Sequence, residues 1–389
     1  MFLKLEFLKM SEVYITKTAR FLPNDPVPND EMEMYLGEIG ERASRSRKIV
    51  LRNNGIKQRY YALNKQGELT HTNAELTALS IRNLMDDNSQ KLNEIDLLTC
   101  GTSVPDQIMP SHAVMVHGLL PETNNIEVVS PAGNCCSGMH GYKYAFMALK
   151  ADLVKKAVCT GSERVSRSLH AEQFEIENQK INQLEKNKYI AFEKDFLRWM
   201  LSDGAASFLL ETKKSDEGLS LRIDWIEVVS FANEKETCMY MGADKLANGK
   251  MKGFMDYNPN ELNDKSIMSM KQDVKLLSDN IVRLGITKLS NIVKEKGFNI
   301  DEVTHFLPHM SSYFFENKID DILIELGIQI PKDKWFSNLE TVGNVGSGSI
   351  FLMIDDLMNS GTLKAGDKLL LVVPESARFS YVFSLLTVV

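Results

Sequence analysis

Short apolar runs alternate with amphipathic stretches along most of the chain. Residues 11–20, 95–100, 154–160, 205–210 and 219–229 carry the β-branched and apolar residues of strands. Between the first two, residues 72–86 place apolar positions at helical spacing behind Thr72, and Glu75 three residues on predicts a capping box. An apolar run ending at residues 126–129 reads as a buried strand, and residues 142–149 as a helix. In the second half a long helix is predicted from about residue 267 to 296, then a short strand at 303–307 and a helix to about 326. A strand at 335–339, a Gly-rich turn at 340–349, a helix at 350–358 and strands at 369–373 and 378–388 follow. Two stretches break the alternation. Residues 168–200 are polar and helical, and about 231–266 are rich in Met, Asn, Lys and Gly without a period. Both read as insertions covering one face of a sheet.

The alternation carries an internal echo. A strand runs through a small-residue turn into a helix around Cys136, and residues 336–350, with Asn344 at their centre, repeat that design. Such an echo predicts α/β halves related by duplication, about 11–215 and 216–389, with helices between or outside the sheets. Ligands in such layouts gather where loops at the carboxyl ends of strands meet.

Composition narrows the class. The 389 residues are 43% hydrophobic and 25% charged, enough apolar material for a sizeable core. Five cysteines, an odd number without metal-ligand spacing, predict free thiols in a reducing compartment. A net charge of −7 argues against nucleic acid as a partner. Lys4, Glu6 and Lys9 interrupt the first ten residues, so no signal-peptide core is expected, and no apolar run suits a membrane span. The expected location is the cytoplasm. Against the acidic balance, Arg42, Arg45, Arg47, Lys48, Arg52, Lys57 and Arg59 form a basic run. It reads either as a solvated helix face or as a docking patch for an anionic partner such as a phosphopantetheine carrier.

The candidate chemistry sits in three turns of one description: a strand end, a sharp turn and a helix start. They hold Cys136, His309 and Asn344. A thiol in the first turn of a helix feels exposed N–H groups and the positive dipole end, which favour thiolate. The plain alternative is that Cys135 and Cys136 pack as small hydrophobes. An imidazole can accept the thiol proton, and imidazole and carboxamide N–H groups can stabilise an oxyanion.

With these residues in place, the chain resembles the thiolase superfamily, and within it the ketoacyl-ACP synthase III-like condensing enzymes. The resemblance runs from about residue 11 to 388. Asn134-Cys-Cys136-Ser-Gly-Met resembles the nucleophile motif Ala-Ala-Cys-Ala-Gly-Phe. Leu201-Ser-Asp-Gly-Ala-Ala206 resembles the Gly-Asp-Gly-Ala turn, Pro308-His309-Met the Pro-His-Gln motif, and Gly343-Asn344 the Gly-Asn motif. The resemblance implies a thiolase fold: duplicated βαβαβαββ halves forming a five-layered αβαβα core. It implies acylation of Cys136, with Cys135 as packing, and a Claisen condensation in which His309 and Asn344 hold the enolate of a second thioester. The Cys136 N–H would form half of an oxyanion hole. The other half comes, in that family, from a Gly-Gly-Gly-Phe turn. Here the turn reads Pro374-Glu-Ser-Ala-Arg-Phe379, with Ala377 nearest the donating position.

Further expectations follow from the resemblance. Lys48 stands where an adenine-stacking tryptophan is common, and Phe314 where an arginine is expected. The reading therefore favours acyl carrier protein over free acyl-CoA, docked around Lys48 and Arg52. Met109 matches a residue that reaches into the partner's acyl tunnel in a homodimer, or else is core. Glu163 is a candidate second base, or else a buried carboxylate paired with Arg164 or Arg167. His140 and Cys159 read as structural. Neither metal nor redox cofactor is implied, the acyl groups arriving on phosphopantetheine of a carrier protein or coenzyme A. Residues 54–62, 71–73 and 374–379 resemble most the ketosynthases of dialkylresorcinol and flexirubin-type pathways, which close a cyclohexanedione ring. The rival readings are an acyltransferase acting on an O or N nucleophile, and a non-catalytic subunit of a heterodimeric synthase.

Overall fold

The computed structural model describes residues 11–38, 47–174 and 197–389. Arg42 and Arg45 of the basic run, and most of the insertion at 168–200, lie outside them. Among the described residues nine strands form one sheet: β1 (Tyr14–Phe21), β2 (Leu97–Gly101), β3 (Glu127–Val129), β4 (Lys156–Glu163), β5 (Gly204–Glu211), β6 (Leu221–Ser230), β7 (His305–Pro308), β8 (Lys368–Glu375) and β9 (Ser380–Val388). Six helices position the site: α1 (Asn73–Leu84), α2 (His112–Gly118), α3 (Ser137–Lys150), α4 (Val274–Lys296), α5 (Glu316–Glu325) and α6 (Ser349–Asn359).

The strand order β7-β8-β9-β6-β1-β5-β4-β2-β3 contains the duplication. In the first half β3, β2 and β4 are parallel, and β5 and β1 follow antiparallel. In the second half β7 and β8 are parallel, and β9 and β6 follow antiparallel. The counterpart of β3 shrinks to a single parallel bridge, Phe306 to Trp335, where the apolar pattern predicts a full strand. The halves join through two residue pairs, Tyr14 with Arg222 and Ile15 with Leu221.

Alternation along the strands sorts side chains into layers. On β8, Leu369, Leu371 and Val373 enter a central core with Met139 and Tyr142 of α3 and Phe351 and Ile354 of α6. Leu370 and Val372 face the opposite way, against Leu277, Ile281 and Leu289 of α4 and Ile319 and Leu323 of α5. Across the other half, α1 and α2 cover Leu98, Cys100 and Val158. The result is the five-layered αβαβα order, with α3 and α6 in the middle.

Local sequence sets the helix ends. Thr72 and Glu75 complete both bonds of the capping box ahead of α1. The long helix α4 begins at Val274 rather than near 267, because the Asp273 side chain caps Leu276 N–H and residues 271–272 pair with 239–240 as strand.

The middle layer is tight at glycines. A Cβ on Gly161 would lie 2.2 Å from the Ser347 carbonyl oxygen, and one on Gly138 would meet Phe351 at 2.8 Å. Gly161→Ala should therefore destabilise the protein by about 3 kcal/mol or more, read from urea unfolding. Gly118→Ala, in α2 with no heavy atom within 4 Å of the new methyl, should be neutral or slightly stabilising.

Candidate active site

Four strand ends converge on one region. Residues 130–136 lead from β3 into α3 and place Cys135 and Cys136 at its head, with Cys136 as the N-cap. His309 follows β7, and its N–H donates to Val372 O at 2.9 Å. Glu163 ends β4 and Glu375 ends β8. Asn344 comes from the turn before α6. Its backbone is clamped by Asn344 N–H to Met200 O and Ser202 N–H to Asn344 O, so the Ser-Asp-Gly turn fixes its place.

Two cavities meet there. The first encloses about 630 Å³, mouth included, and runs between α4, α5 and the end of the sheet, past His309, Ile281, Gly285 and Tyr381. The second encloses about 510 Å³ and runs past Asn344, Glu163 and Ser103 to Met200, Met239 and Met270. Cys135, Ser311 and Ser376 line both. Cys136, by contrast, is fully buried in the central core. Its Sγ lies 3.2 Å from Val373 O and 3.8 Å from Ser380 O.

The electrostatics are those of a dry site. Burial, and then the Glu375 charge, push both thiols up, so the thiolate expected from the helix end alone is not the resting form. Burial lowers His309 to about 4, which leaves the ring neutral at pH 7 with one N–H to donate. The Asn344 Oδ1 accepts from Gly346 N–H at 3.0 Å and from Ser349 Oγ at 3.4 Å, leaving the amide NH2 as its donor.

Glu163 is buried and lines the second cavity, but Arg164 and Arg167 are not its partners. It accepts from Ser103 N–H at 3.1 Å, Ser103 Oγ at 2.7 Å and Ser347 N–H at 3.1 Å. Arg164 pairs with Asp106, and Arg167 with Glu172. Burial raises the Glu163 carboxyl, and the serine donors oppose it.

The other predicted residues lie apart from the cavities. Ala377 lines neither; its carbonyl accepts from Cys238 and Met239 N–H, and Ser376 is the residue of that turn at the cavities. Met109 is 82% exposed, which excludes the core reading. Lys48 and Arg52 are exposed on a short helix, Arg47–Asn54, that neighbours the turn holding the exposed Phe314. Arg47 pairs with Glu33, Lys57 with Glu340, and Arg59 is buried against Asn29 and Trp199. The pattern left Ser311, Ser376 and Glu375 unassigned and read Cys135 as packing, whereas Cys135 lines both cavities. Glu375 belongs to the Pro374–Phe379 turn.

Comparison with known proteins fits this geometry. Residues 293–374 match the family model for 3-oxoacyl-[acyl-carrier-protein (ACP)] synthase III C terminal. The β-ketoacyl-[acyl-carrier-protein] synthase III of Clostridium perfringens strain SM101 is 23% identical over 363 residues, covering 93% of this chain and 95% of its own. The Rickettsia rickettsii enzyme of the same name is 24% identical over 350 residues, covering 90% and 92%. Among solved structures, the tetronic acid condensing enzyme AbyA1 superposes with a TM-score of 0.73 at 18% identity, over 96% of this chain and 99% of that one. OleA of Xanthomonas campestris gives 0.73 at 16% identity, over 97% and 99%.

The neutral His309 has a thermodynamic consequence. In the unfolded chain its imidazole gains a proton near pH 6.5, whereas the folded ring stays neutral to about pH 4. Stability is therefore full above pH 6.5 and falls by about 1.4 kcal/mol per pH unit as pH drops from there toward 4. The buried His112, also lowered to about 4 by burial, adds a like slope. His309→Asn should lose less stability than the wild type between pH 6.5 and 5, by about 2 kcal/mol, in urea unfolding at the two pH values. Parallel losses would show that the ring is not held neutral. The architecture is the thiolase fold shared with these solved structures, and residues 293–374 are similar to the C-terminal part of ACP synthase III.

Proposed function

We propose that the protein is a condensing enzyme that loads an acyl or β-ketoacyl group from a pantetheine thioester onto a cysteine at the head of α3. It then joins that group to a second carrier-bound thioester by Claisen condensation. The observation that carries this reading is the convergence of Cys135, His309 and Asn344 on two cavities with a common wall, with Cys136 buried next to Cys135 at the head of α3. A neutral imidazole and a carboxamide with its oxygen already engaged are both N–H donors. Such a pair suits the carbonyl oxygen of a thioester as it turns into an enolate. The enolate forms as the α-carbon loses CO2 or a proton; its carbanion attacks the acyl carbonyl, the C–C bond forms, the acyl C–S bond breaks and the cysteine leaves as a thiolate that takes up a proton.

The motif spacing puts the acyl group on Cys136, the residue that caps the helix. Cys135 is the second reading, favoured by its place on both cavity walls. For the carrier we assign acyl carrier protein, met by the exposed Lys48 and Arg52. In a homodimer the exposed Met109 and Ile108 would reach the partner's cavity. Glu163, on the wall of the second cavity, is the base we assign to ring closure toward a cyclohexanedione of the dialkylresorcinol type.

Incubation with acyl- and β-ketoacyl-carrier proteins, followed by intact-protein mass spectrometry, tests the loading step. The expected result is an acyl adduct that Cys136→Ala abolishes and Cys135→Ala retains. The reverse pattern moves the nucleophile to Cys135, and an adduct on neither cysteine rejects the reading. A product with a new C–C bond is expected; an O- or N-acyl product would place the protein among the simple acyltransferases.

A further inference from the structure

Glu375 is a buried carboxylate with an unusual set of partners. Its Oε2 accepts from the backbone N–H of Asn134 at 2.8 Å and of Cys136 at 3.3 Å. Gly133 makes room for it: the backbone there has φ of +149°, and a Cβ would lie 3.1 Å from the same oxygen. Among the described residues no ion pair neutralises it. The N–H groups at the head of the 14-residue α3 and its dipole hold the charge instead. That is the place where an oxyanion on the cysteine would need its donors.

The donors at the head of α3 have room for one negative charge. Around Glu375 stand Cys135 and Cys136, whose ionisation its charge opposes after burial has done so, and His140 on the next turn of α3, lowered by burial. Glu163 adds a smaller like-charge effect at Cys135. A thiolate or an oxyanion formed beside an ionised Glu375 would be a second buried anion on the same donors, which burial disfavours strongly.

We infer that Glu375 is the proton acceptor for the nucleophilic cysteine, and that it gives up the head of α3 to the thioester oxyanion as it does so. This deepens the reading above and rests on it. In the step, the thiol S–H bond breaks and its proton goes to the Glu375 carboxylate. Sulfur forms a bond to the thioester carbon, and the carbonyl π pair becomes the oxyanion on the vacated N–H groups. On collapse the C–S bond to pantetheine breaks, the leaving thiolate takes the proton from Glu375, and the carboxylate returns. One negative charge is present throughout, passed from carboxylate to oxyanion to leaving sulfur and back. The neutral carboxylic acid is the weaker acceptor, so proton transfer itself frees the donors.

The test uses Glu375→Gln and Glu375→Asp in the full chain, with two readouts. The first is the rate of acyl-enzyme formation against pH. Glu375→Gln should slow it about 10²–10³-fold at pH 7 and remove the acidic limb of the profile, while Glu375→Asp keeps that limb with part of the rate. The second is alkylation of the cysteine by iodoacetamide, which follows thiolate and needs no acyl transfer. Its pH midpoint should fall in Glu375→Gln, since the opposing charge is gone. Slower acylation with easier alkylation is the signature; a merely structural loss would not move the two in opposite directions. A wild-type acylation profile in Glu375→Gln, or an unmoved alkylation midpoint, overturns the inference. Failure of the wild type to load any acyl group, with the alkylation midpoint still shifted, would instead reject the condensing reading and leave Glu375 as the residue that controls the thiol.

Discussion

The two halves of the molecule touch where backbone meets backbone. Ser347, in the first turn before α6, lies on Gly161 of β4, and its Oγ donates to the carbonyls of Gly101 and Ser162 at the ends of two strands. On the other side of that seam, a Cβ on Gly101 would sit 2.2 Å from Gly138 N in the first turn of α3. Side chains at these glycines would hold the central helices off the sheet. Their absence brings the heads of α3 and α6 to the strand ends, so the cysteine pair and Asn344 share one region with His309 and Glu375. The chemistry is a consequence of that contact.

What the convergence creates is a cluster of backbone N–H groups with little water, and buried carboxylates occupy them. Glu375 takes Asn134 and Cys136, and Glu163 takes Ser103 and Ser347. Asp203, in the Ser-Asp-Gly turn, takes Ala62, Val165 and Ser166. Among the described residues none of the three has an ion-pair partner, and each carboxylate is held by fixed dipoles. Asp203 lines neither cavity; it stands behind Val165 on the wall of the second and ties three loops together. Glu163 and Glu375 do similar work at the site, where the donors they hold are also the groups a reacting carbonyl would use.

Much of this was legible along the chain. Helical spacing behind a capping box located α1, and unbroken apolar runs located β2 and β4, as expected for strands covered on both faces. The echo around Cys136 and Asn344 exposed the duplication, because strand, small-residue turn and helix must recur where the same contact is made twice. Trp335 deceived: its apolar segment forms one bridge to Phe306, and the ring packs edge-on against Phe306 rather than extending a strand. The partners of Glu163 were hidden for a different reason. A neighbouring arginine in sequence lies across the pleat, and the serines that hold the carboxylate come from 60 and 184 residues away. Which of two adjacent thiols faces a cavity depends on one rotamer and one turn, and no period encodes it.

Glu375 shows how a departure from a pattern can be read the wrong way round. Next to a glycine-rich turn, Pro-Glu-Ser-Ala-Arg-Phe looks like a loss of backbone freedom. The positive-φ glycine is at position 133 instead, across the seam, where it admits a carboxylate to the head of α3. At that helix end a side-chain carboxylate already occupies the backbone donors that an incoming anion would use. Such an arrangement suits a site with a neutral histidine, since the anion, the proton it can take and the donors it can release are all in one residue. The cavity walls lie on other elements, α4 and α5 on one side and the methionines at 200, 239 and 270 on the other. Walls and charge handling can therefore vary independently, and the duplicated contact at Ser347 and Gly161 constrains only the second.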